Sequence, residues 1–351
     1  MSGSLLERAR SGDPEAFGEL TAPFGRELHL HCYRMLGSVA DADDLLQETM
    51  LAAWQGIAGF AGRSSLRTWL YRIATNRCLN AIRATRRRPP PAPLPPFEPP
   101  EPTGHSDVTW LQPYPDAWLD PTPGPSARYQ TRNAIRLGFI TALQRLPPRQ
   151  TAAVVLCDVL DFSLAEAAAM IDTSPTAVKG LLQRARASLE HQHASGDDPV
   201  HEPGSPAEAD LARRFADAYS TDDIDTLVAL LSDEAWLTML PAPHEYRGPT
   251  AIAAFLHASA TGRAGRRFQL VPTRANTQPA FACYLGDLEH PRAQPAGMVV
   301  LTLAGARIAA ITRFLEPPRR SDVPAVTDNE SCEAQGRLPA AIPRTRVIGA
   351  S

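Results

Sequence analysis

Lysine is almost absent from this chain: Lys179 is the one lysine among 35 basic residues, and every other positive charge is an arginine. Cysteine is sparse too. Cys32, Cys78, Cys157, Cys283 and Cys332 are odd in number and far apart, with no CxxC spacing, which argues against a disulfide framework, a zinc ribbon or a redox pair. His29, His31 and Cys32 sit close together, but a helical segment points them in different directions, so buried packing is the expectation and no metal is assigned. No stretch has the eighteen or so consecutive apolar residues needed to cross a bilayer, and the opening MSGSLLERARSGD has no apolar signal-like run. The expectation is a cytoplasmic protein that does not contact membrane. Acidic residues are missing over one long interval: from Arg63 to Arg88 there is no Asp or Glu, while arginine recurs throughout. A net charge of −3 therefore conceals a basic segment. Its aromatic and amide residues, Trp69, Tyr71, Asn76 and Asn80, suit a nucleic-acid surface as well as a solvated helix face.

The chain has 351 residues, more than one hydrophobic core usually organises, and its patterning divides it. Apolar residues recur at helical spacing from Leu5 to about Thr85. Residues 86–125 then hold three arginines followed by fourteen prolines, a composition that favours extended, semi-rigid chain. Within it lies WLQPYPD, Trp110 to Asp116, whose aromatics suit either a docking segment or local collapse onto a neighbour. Helical periodicity returns from Tyr129 to Glu190. After Ala207 an amphipathic helix precedes segments of strand character, AWLTML, RFQLVPT, AFACYL, GMVVLTLA and RIAAITRFL. The tail after Pro318 is polar, Pro-rich and without a periodic core, and is expected to be disordered.

Two constellations carry chemistry. In DADDLLQETMLAAW, Asp41, Asp44 and Glu48 share one helix face opposite Leu45, Leu46 and Ala53; such faces are commonly just solvated. The next segment, GFAGRSSLRTWLYRIATNRCLNAIR, joins a glycine-containing loop to a basic helix on which Asn76, Asn80 and Arg83 fall at i, i+4 and i+7. Amides and guanidinium on one face suit an unstacked base and a single-stranded backbone. Further on, Ser163-Leu-Ala-Glu166 reads as a capping box, Asp172 and Thr173 as a tight turn, and Ser174-Pro175 as the start of a second helix. This is a helix-turn-helix pattern with Thr176, Lys179 and Gln183 outward, Val178, Leu181, Leu182 and Ala185 inward, and Arg184 and Arg186 suited to phosphates. Helical hairpins also occur as plain structure.

Taken in order, these segments resemble extracytoplasmic-function sigma factors of the sigma-70 family over residues 5–190. The resemblance implies core RNA polymerase as partner, with Asp41, Asp44, Gln47 and Glu48 meeting the clamp helices of the β′ subunit and the β subunit completing the docking surface. It implies that Phe60, Arg63, Ser64, Asn76, Arg77, Asn80 and Arg83 open and hold promoter DNA near the start site. Ser174, Thr176, Lys179, Gln183, Arg184 and Arg186 would read an upstream element. Residues 207–317 look like a SnoaL-like polyketide cyclase domain, a cone of curved sheet wrapped by helices. Fused domains of this kind are implicated in controlling sigma activity, which assigns Trp110, Tyr114 and Asp116 to interdomain regulation and admits a small-molecule ligand in the cone. His244, Glu245, Tyr246 and Asp287 would be its acid-base candidates, although fold does not establish chemistry. Where the typical fused domain reads Asn-Gly-Gln-Pro-Ala, this chain has Asn276-Thr277-Gln278-Pro279-Ala280, a loss of glycine that should alter a turn or the pocket rim.

The fold class expected is therefore multidomain: two all-α sigma domains, at 1–88 and 129–195, joined by a linker at 89–128. An α+β cone at 205–318 and a tail at 319–351 follow. No cofactor or catalytic residue is required, because captured bases and a basic channel can drive strand opening without nucleotide hydrolysis. The competing reading is an enzyme or small-molecule sensor fused to a DNA-binding module that acts without polymerase.

Overall fold

Short polar residues mark where the N-terminal helices begin. The computed structural model describes residues 2–85, 97–119, 133–193, 204–286 and 293–315. The expected tail at 319–351 and Asp287 lie outside the described residues. Helix α1 (Ser2–Arg10) is followed by α2 (Pro14–Thr21), where the Asp13 carboxylate accepts from the Glu15 and Ala16 amides and proline occupies the first helical position. Helix α3 (Gly25–Leu36) stops at Gly37, whose φ of 73° is the left-handed conformation that terminates helices, and Ser38 then caps α4 (Val39–Gly56). A loop leads into α5 (Leu66–Thr85). Leu28, Cys32 and Met35 of α3, Leu45 and Ala53 of α4, and Leu70, Ala74 and Cys78 of α5 are buried together. Helices α1 and α2 pack a satellite core of Ala9, Ala16, Ile57 and Phe60.

The second helical part contains α6 (Leu137–Arg145) and α7 (Pro148–Val154), the latter widening into a π-helical turn at Val155–Val159. Then come α8 (Leu164–Met170) and α9 (Pro175–His193). The capping box is present, with the Ser163 hydroxyl accepting from the Glu166 amide and Glu166 accepting from Ser163. Asp172 takes φ 52° in the turn, and the Ser174 hydroxyl accepts from the Ala177 amide, 3.2 Å away. These two helices form the expected helix-turn-helix.

The C-terminal part opens with α10 (Pro206–Thr221) and α11 (Ile224–Ala229), then β2 (Leu231–Leu240), β3 (His244–Arg247), α12 (Pro249–Gly262), β4 (Arg267–Ala275), β5 (Gln278–Gly286), β6 (Gln294–Ala304) and β7 (Arg307–Phe314). A two-residue strand from the linker, β1 (Gly104–His105), pairs antiparallel with β3, so the sheet order is β1-β3-β2-β7-β6-β5-β4. Only β2 and β7 run parallel among the paired strands. Strand alternation divides the sheet into two faces. Val299, Leu301, Leu303 and Ile311 join the core beneath the wrapping helices. Met298, Val300, Leu240, Ala280 and Phe314 instead belong to the apolar cluster that contains α3, α6 and α7. The outer face of the cone is thus covered by the helical parts. Linker residues Val108, Leu111 and Tyr114 are buried in that same cluster, so residues 97–119 thread between the parts they connect. No described helix is long and apolar enough to cross a membrane.

Candidate nucleic-acid interface and the interdomain junction

Along α4, Asp41, Asp44, Gln47 and Glu48 are exposed while Ala42, Leu45 and Thr49 are buried. Glu48 lies 3.0 Å from Arg77 of α5, an exposed ion pair that contributes little to stability. The stripe continues to Leu51, one helical turn beyond Glu48 and 58% exposed. An acidic-face pattern gave no reason to single out this leucine; its fourfold register with Asp44 and Glu48 at i, i+4 and i+7 was the available signal.

On the basic segment, Asn80 and Arg83 are exposed on α5, and Arg63 and Ser64 are exposed on the loop before it. Three aromatic assignments need correction. Phe60, expected at a single-strand surface, is only 7% exposed: its ring packs against Trp69, with centroids 5.0 Å apart, in the satellite core built by α1 and α2. Its carbonyl also accepts from Arg10. Trp69 is accordingly half-buried. Tyr71 is fully buried between His31 and Phe162, and burial pushes its phenol well above the ordinary range. Basic flanks made these rings look like stacking platforms, whereas the apolar surfaces that cover them come from distant segments.

Asn76 has a partner that local patterning could not reveal. Its Nδ2 donates to Met170 O of α8 at 3.0 Å and to Arg72 O at 2.9 Å. Nearby, the Arg67 guanidinium lies over the Tyr71 and Phe162 rings at 4.8 and 4.7 Å, and Thr68 Oγ1 donates to Glu166 at 3.4 Å. One side of α5 is therefore docked on the first helix of the helix-turn-helix.

Helix α9 presents Thr176, Lys179, Gln183 and Arg184 to solvent and buries Val178, Leu182 and Ala185. Ser174 is exposed with its hydroxyl engaged as the cap. Arg186 is held by Asp158 through two hydrogen bonds, 3.0 and 2.6 Å long, so it is tied to the π-helical turn in this arrangement.

The junction is organised by the turn Asn276-Thr277-Gln278 between β4 and β5. Asn276 Oδ1 accepts from the Tyr114 amide at 2.8 Å, and its Nδ2 donates to Tyr33 Oη at 2.8 Å and to Ile135 O at 2.7 Å. The Thr277 amide donates to Asp116 Oδ1 at 2.7 Å. Gln278 Oε1 accepts from the amide of Leu137, the first residue of α6, while its Nε2 donates to Leu301 O and Thr302 Oγ1. Three residues thus hold α3, the linker and the start of α6 together. Tyr114 completes the junction from the linker side, buried against Tyr33 and His29 and 3.0 Å from His29 Nδ1. Asp43 lies 3.1 Å from the other ring nitrogen of His29. Trp110 Nε1 donates to Leu36 O at 2.9 Å, and Gln112 Oε1 accepts from Ala40 N, which anchors the linker on the α3–α4 corner. His31 instead contacts Thr75, and no three described His, Cys, Asp or Glu side chains gather as a metal-binding group.

Family models match in the same order as these parts: Sigma-70 region 2 at residues 20–88, Sigma-70 region 4 at 136–189, and a SnoaL-like domain at 212–311. The ECF RNA polymerase sigma factor SigG of Mycobacterium tuberculosis is 44% identical over 320 residues, covering 90% of this chain and 84% of that protein. The chain belongs to the ECF sigma factors. SigM of the same species is 35% identical over 185 residues, 53% of this chain and 81% of that protein. In fold, this sigma factor is similar to the crystal structure of M. tuberculosis SigJ, with a TM-score of 0.58 and 23% identity over 85% of this chain and 96% of that one.

Within the sigma factor, two of the residues proposed from sequence as acid-base groups of the cone are engaged by the linker, while His244 Nδ1 is buried with no hydrogen-bond partner among the described residues. Tyr246 Oη donates to Pro100 O at 2.9 Å, and the main chain of Glu245 pairs with Thr103 and Gly104. His244 is held below its ordinary pKa, first by burial and then by His105 across the strand pair. The linker therefore occupies the sheet edge that carries these groups. Asn276 and Thr277 both adopt left-handed φ, 56° and 58°. Asparagine tolerates this conformation, but a β-branched threonine is strained in it. Thr277→Gly should keep the amide bond to Asp116 and remove that strain. About 1 kcal/mol of stabilisation is expected, visible as a rise in calorimetric Tm of a few degrees; an unchanged or lower Tm would show that the Thr277 side chain offsets its own strain.

Proposed function

We propose that the SnoaL-like domain restrains this sigma factor by holding regions 2 and 4 in a closed arrangement, and that α4 carries the polymerase-docking face while α5 and α9 carry the DNA-reading faces. The observation that carries the proposal is the contact of Asn76 with Met170, made while the 276–278 turn ties region 2, the linker and region 4 together. Two promoter elements a helical turn or more apart are separated by at least about 34 Å of duplex. A protein whose α5 lies against α8 cannot engage both at once. Opening must therefore break the α5–α8 contact, which releases the exposed Asn76 amide from Met170. The face at Asp41, Asp44, Gln47 and Glu48 stays exposed in the closed arrangement, so restraint leaves polymerase docking free and acts on promoter engagement. A ligand or polymerase surface that favours the open arrangement would shift the balance by its difference in affinity for the two.

In the open state Lys179 and Gln183 are placed to read base edges, each good contact contributing about 1–3 kcal/mol of discrimination, while Arg184 meets phosphates. This function needs no catalytic residue, and the linker contact of the Tyr246 hydroxyl supports a binding rather than an enzymatic role for the cone. The partners are core polymerase and promoter DNA.

Run-off transcription with bacterial core polymerase tests the restraint. On a promoter obtained by random-sequence selection, Trp110→Ala should raise transcript yield several-fold in the full chain, because the linker loses its hold on Leu36. In residues 1–200 the same substitution should change little. Equal effects in both contexts would reject control through the junction.

A further inference from the structure

One end of the SnoaL-like domain gathers polar groups that neither promoter recognition nor the junction uses. There α10 and α12 end, β7 ends, and β4 and β6 begin. Arg313 of β7 is 8% exposed. Its Nη1 donates to Tyr219 Oη at 2.5 Å and its Nη2 to Ala296 O at 3.2 Å, and its guanidinium carbon lies 4.2 Å from the centroid of Phe268. Arg263 approaches the same ring at 4.6 Å but is matched by Asp222 and by Ser259. Arg313 has no such match: among the described residues no carboxylate lies within ion-pair distance of it. A buried cation without a counter-charge is costly, and Tyr and backbone contacts compensate only part of its lost hydration. Tyr219 adds a second unused group. Its hydroxyl accepts from Arg313, and among the described residues its own proton has no acceptor. Burial holds that phenol above its ordinary pKa, so the proton is retained.

We infer that this end of the cone binds a small apolar monocarboxylate, its carboxylate held by Arg313 and the Tyr219 hydroxyl. One uncompensated charge calls for one negative charge, and a guanidinium beside a phenolic donor matches two carboxylate oxygens. The surroundings supply the apolar part: Phe268 lies under the Arg313 guanidinium, Phe215 packs on Tyr219, and Cys283 and the part-exposed Leu285 and Ala296 belong to the same apolar cluster, a combination of apolar residues and a few polar groups that suits a small ligand. Arg266 and Arg267 are exposed, where solvent screens them, and steer rather than anchor. The inference does not depend on the restraint of regions 2 and 4.

The test is titration of the full chain with decanoate and with decanol, followed by calorimetry. Saturable binding of one decanoate per chain is expected, with decanol at least tenfold weaker. Arg313→Met should erase that preference, so that the two probes bind alike, while Arg313→Lys should retain part of it. Circular dichroism of each variant checks the fold. Absence of saturable binding to the wild-type chain would overturn the inference, as would a preference for decanoate that survives Arg313→Met in a folded protein; in either case Arg313 is a structural clamp on Phe268.

Discussion

Asn276→Gly should open the sigma factor. The substitution removes three side-chain hydrogen bonds, to the Tyr114 amide, Tyr33 Oη and Ile135 O, while glycine accepts the φ of 56° without strain. The Tyr114 amide and the Ile135 carbonyl would be left buried and unpaired if the junction stayed shut. An unsatisfied buried group costs about 1–3 kcal/mol, so the two together should cost the closed arrangement about 2–6 kcal/mol. Each 1.4 kcal/mol is a factor of ten, which makes the shift toward open molecules about 30-fold to 10⁴-fold. X-ray scattering should report a larger radius of gyration, and energy transfer between dyes on regions 2 and 4 should fall. Transcript yield with core polymerase should rise well beyond the effect of Trp110→Ala. Gln278→Ala, which frees the first amide of α6, should act in the same direction and more weakly. A compact Asn276→Gly protein with wild-type transcription would mean that the apolar contacts of Leu240, Val300 and Phe314 hold the junction closed without the turn.

Much of this architecture was readable along the chain because its signals are local. The capping box at Ser163 and Glu166, the Ser174-Pro175 helix start and the alternation in GMVVLTLA each depend on residues within one or two turns or one strand. The exposed faces of α4 and α9 followed from the same periodicity. What escaped notice depends on partners far away in sequence. Phe60 and Tyr71 look like stacking rings until α1, α2 and Phe162 are brought against them. Asn76 looks like a free amide until Met170, 94 residues on, accepts its proton. The missing glycine at Thr277 was visible and did mark a turn, yet its role as the meeting point of region 2, the linker and region 4 required the folded chain. WLQPYPD was equally compatible with docking and collapse, and burial of Tyr114 beside an exposed edge of Trp110 shows why: one aromatic is core and the other a lever on the surface.

The exposed Leu51 leads to the second large effect. Single apolar residues on a surface are ordinary, and this one would carry no meaning in isolation. Its position gives it one, because it extends the Asp44–Glu48 stripe by one turn on a face that neither the linker, the cone nor region 4 covers. A charged rim around a central apolar anchor is the arrangement by which protein interfaces obtain both orientation and affinity. Burying a leucine side chain contributes about 1.5–3 kcal/mol, so Leu51→Asp should weaken binding to core polymerase about 10–100-fold, with no loss of thermal stability in the free protein. Asp44→Arg should slow association and change its salt dependence, since it inverts a rim charge. The two together should abolish transcription even in the opened Asn276→Gly background. Fluorescence anisotropy of labelled full chain with core polymerase reads the affinity directly. If Leu51→Asp binds as the wild type does, the docking face lies elsewhere on region 2, and the acidic stripe of α4 is simply a solvated helix surface. If binding falls but Asn276→Gly restores it, docking and opening are coupled, and the polymerase itself selects the open arrangement.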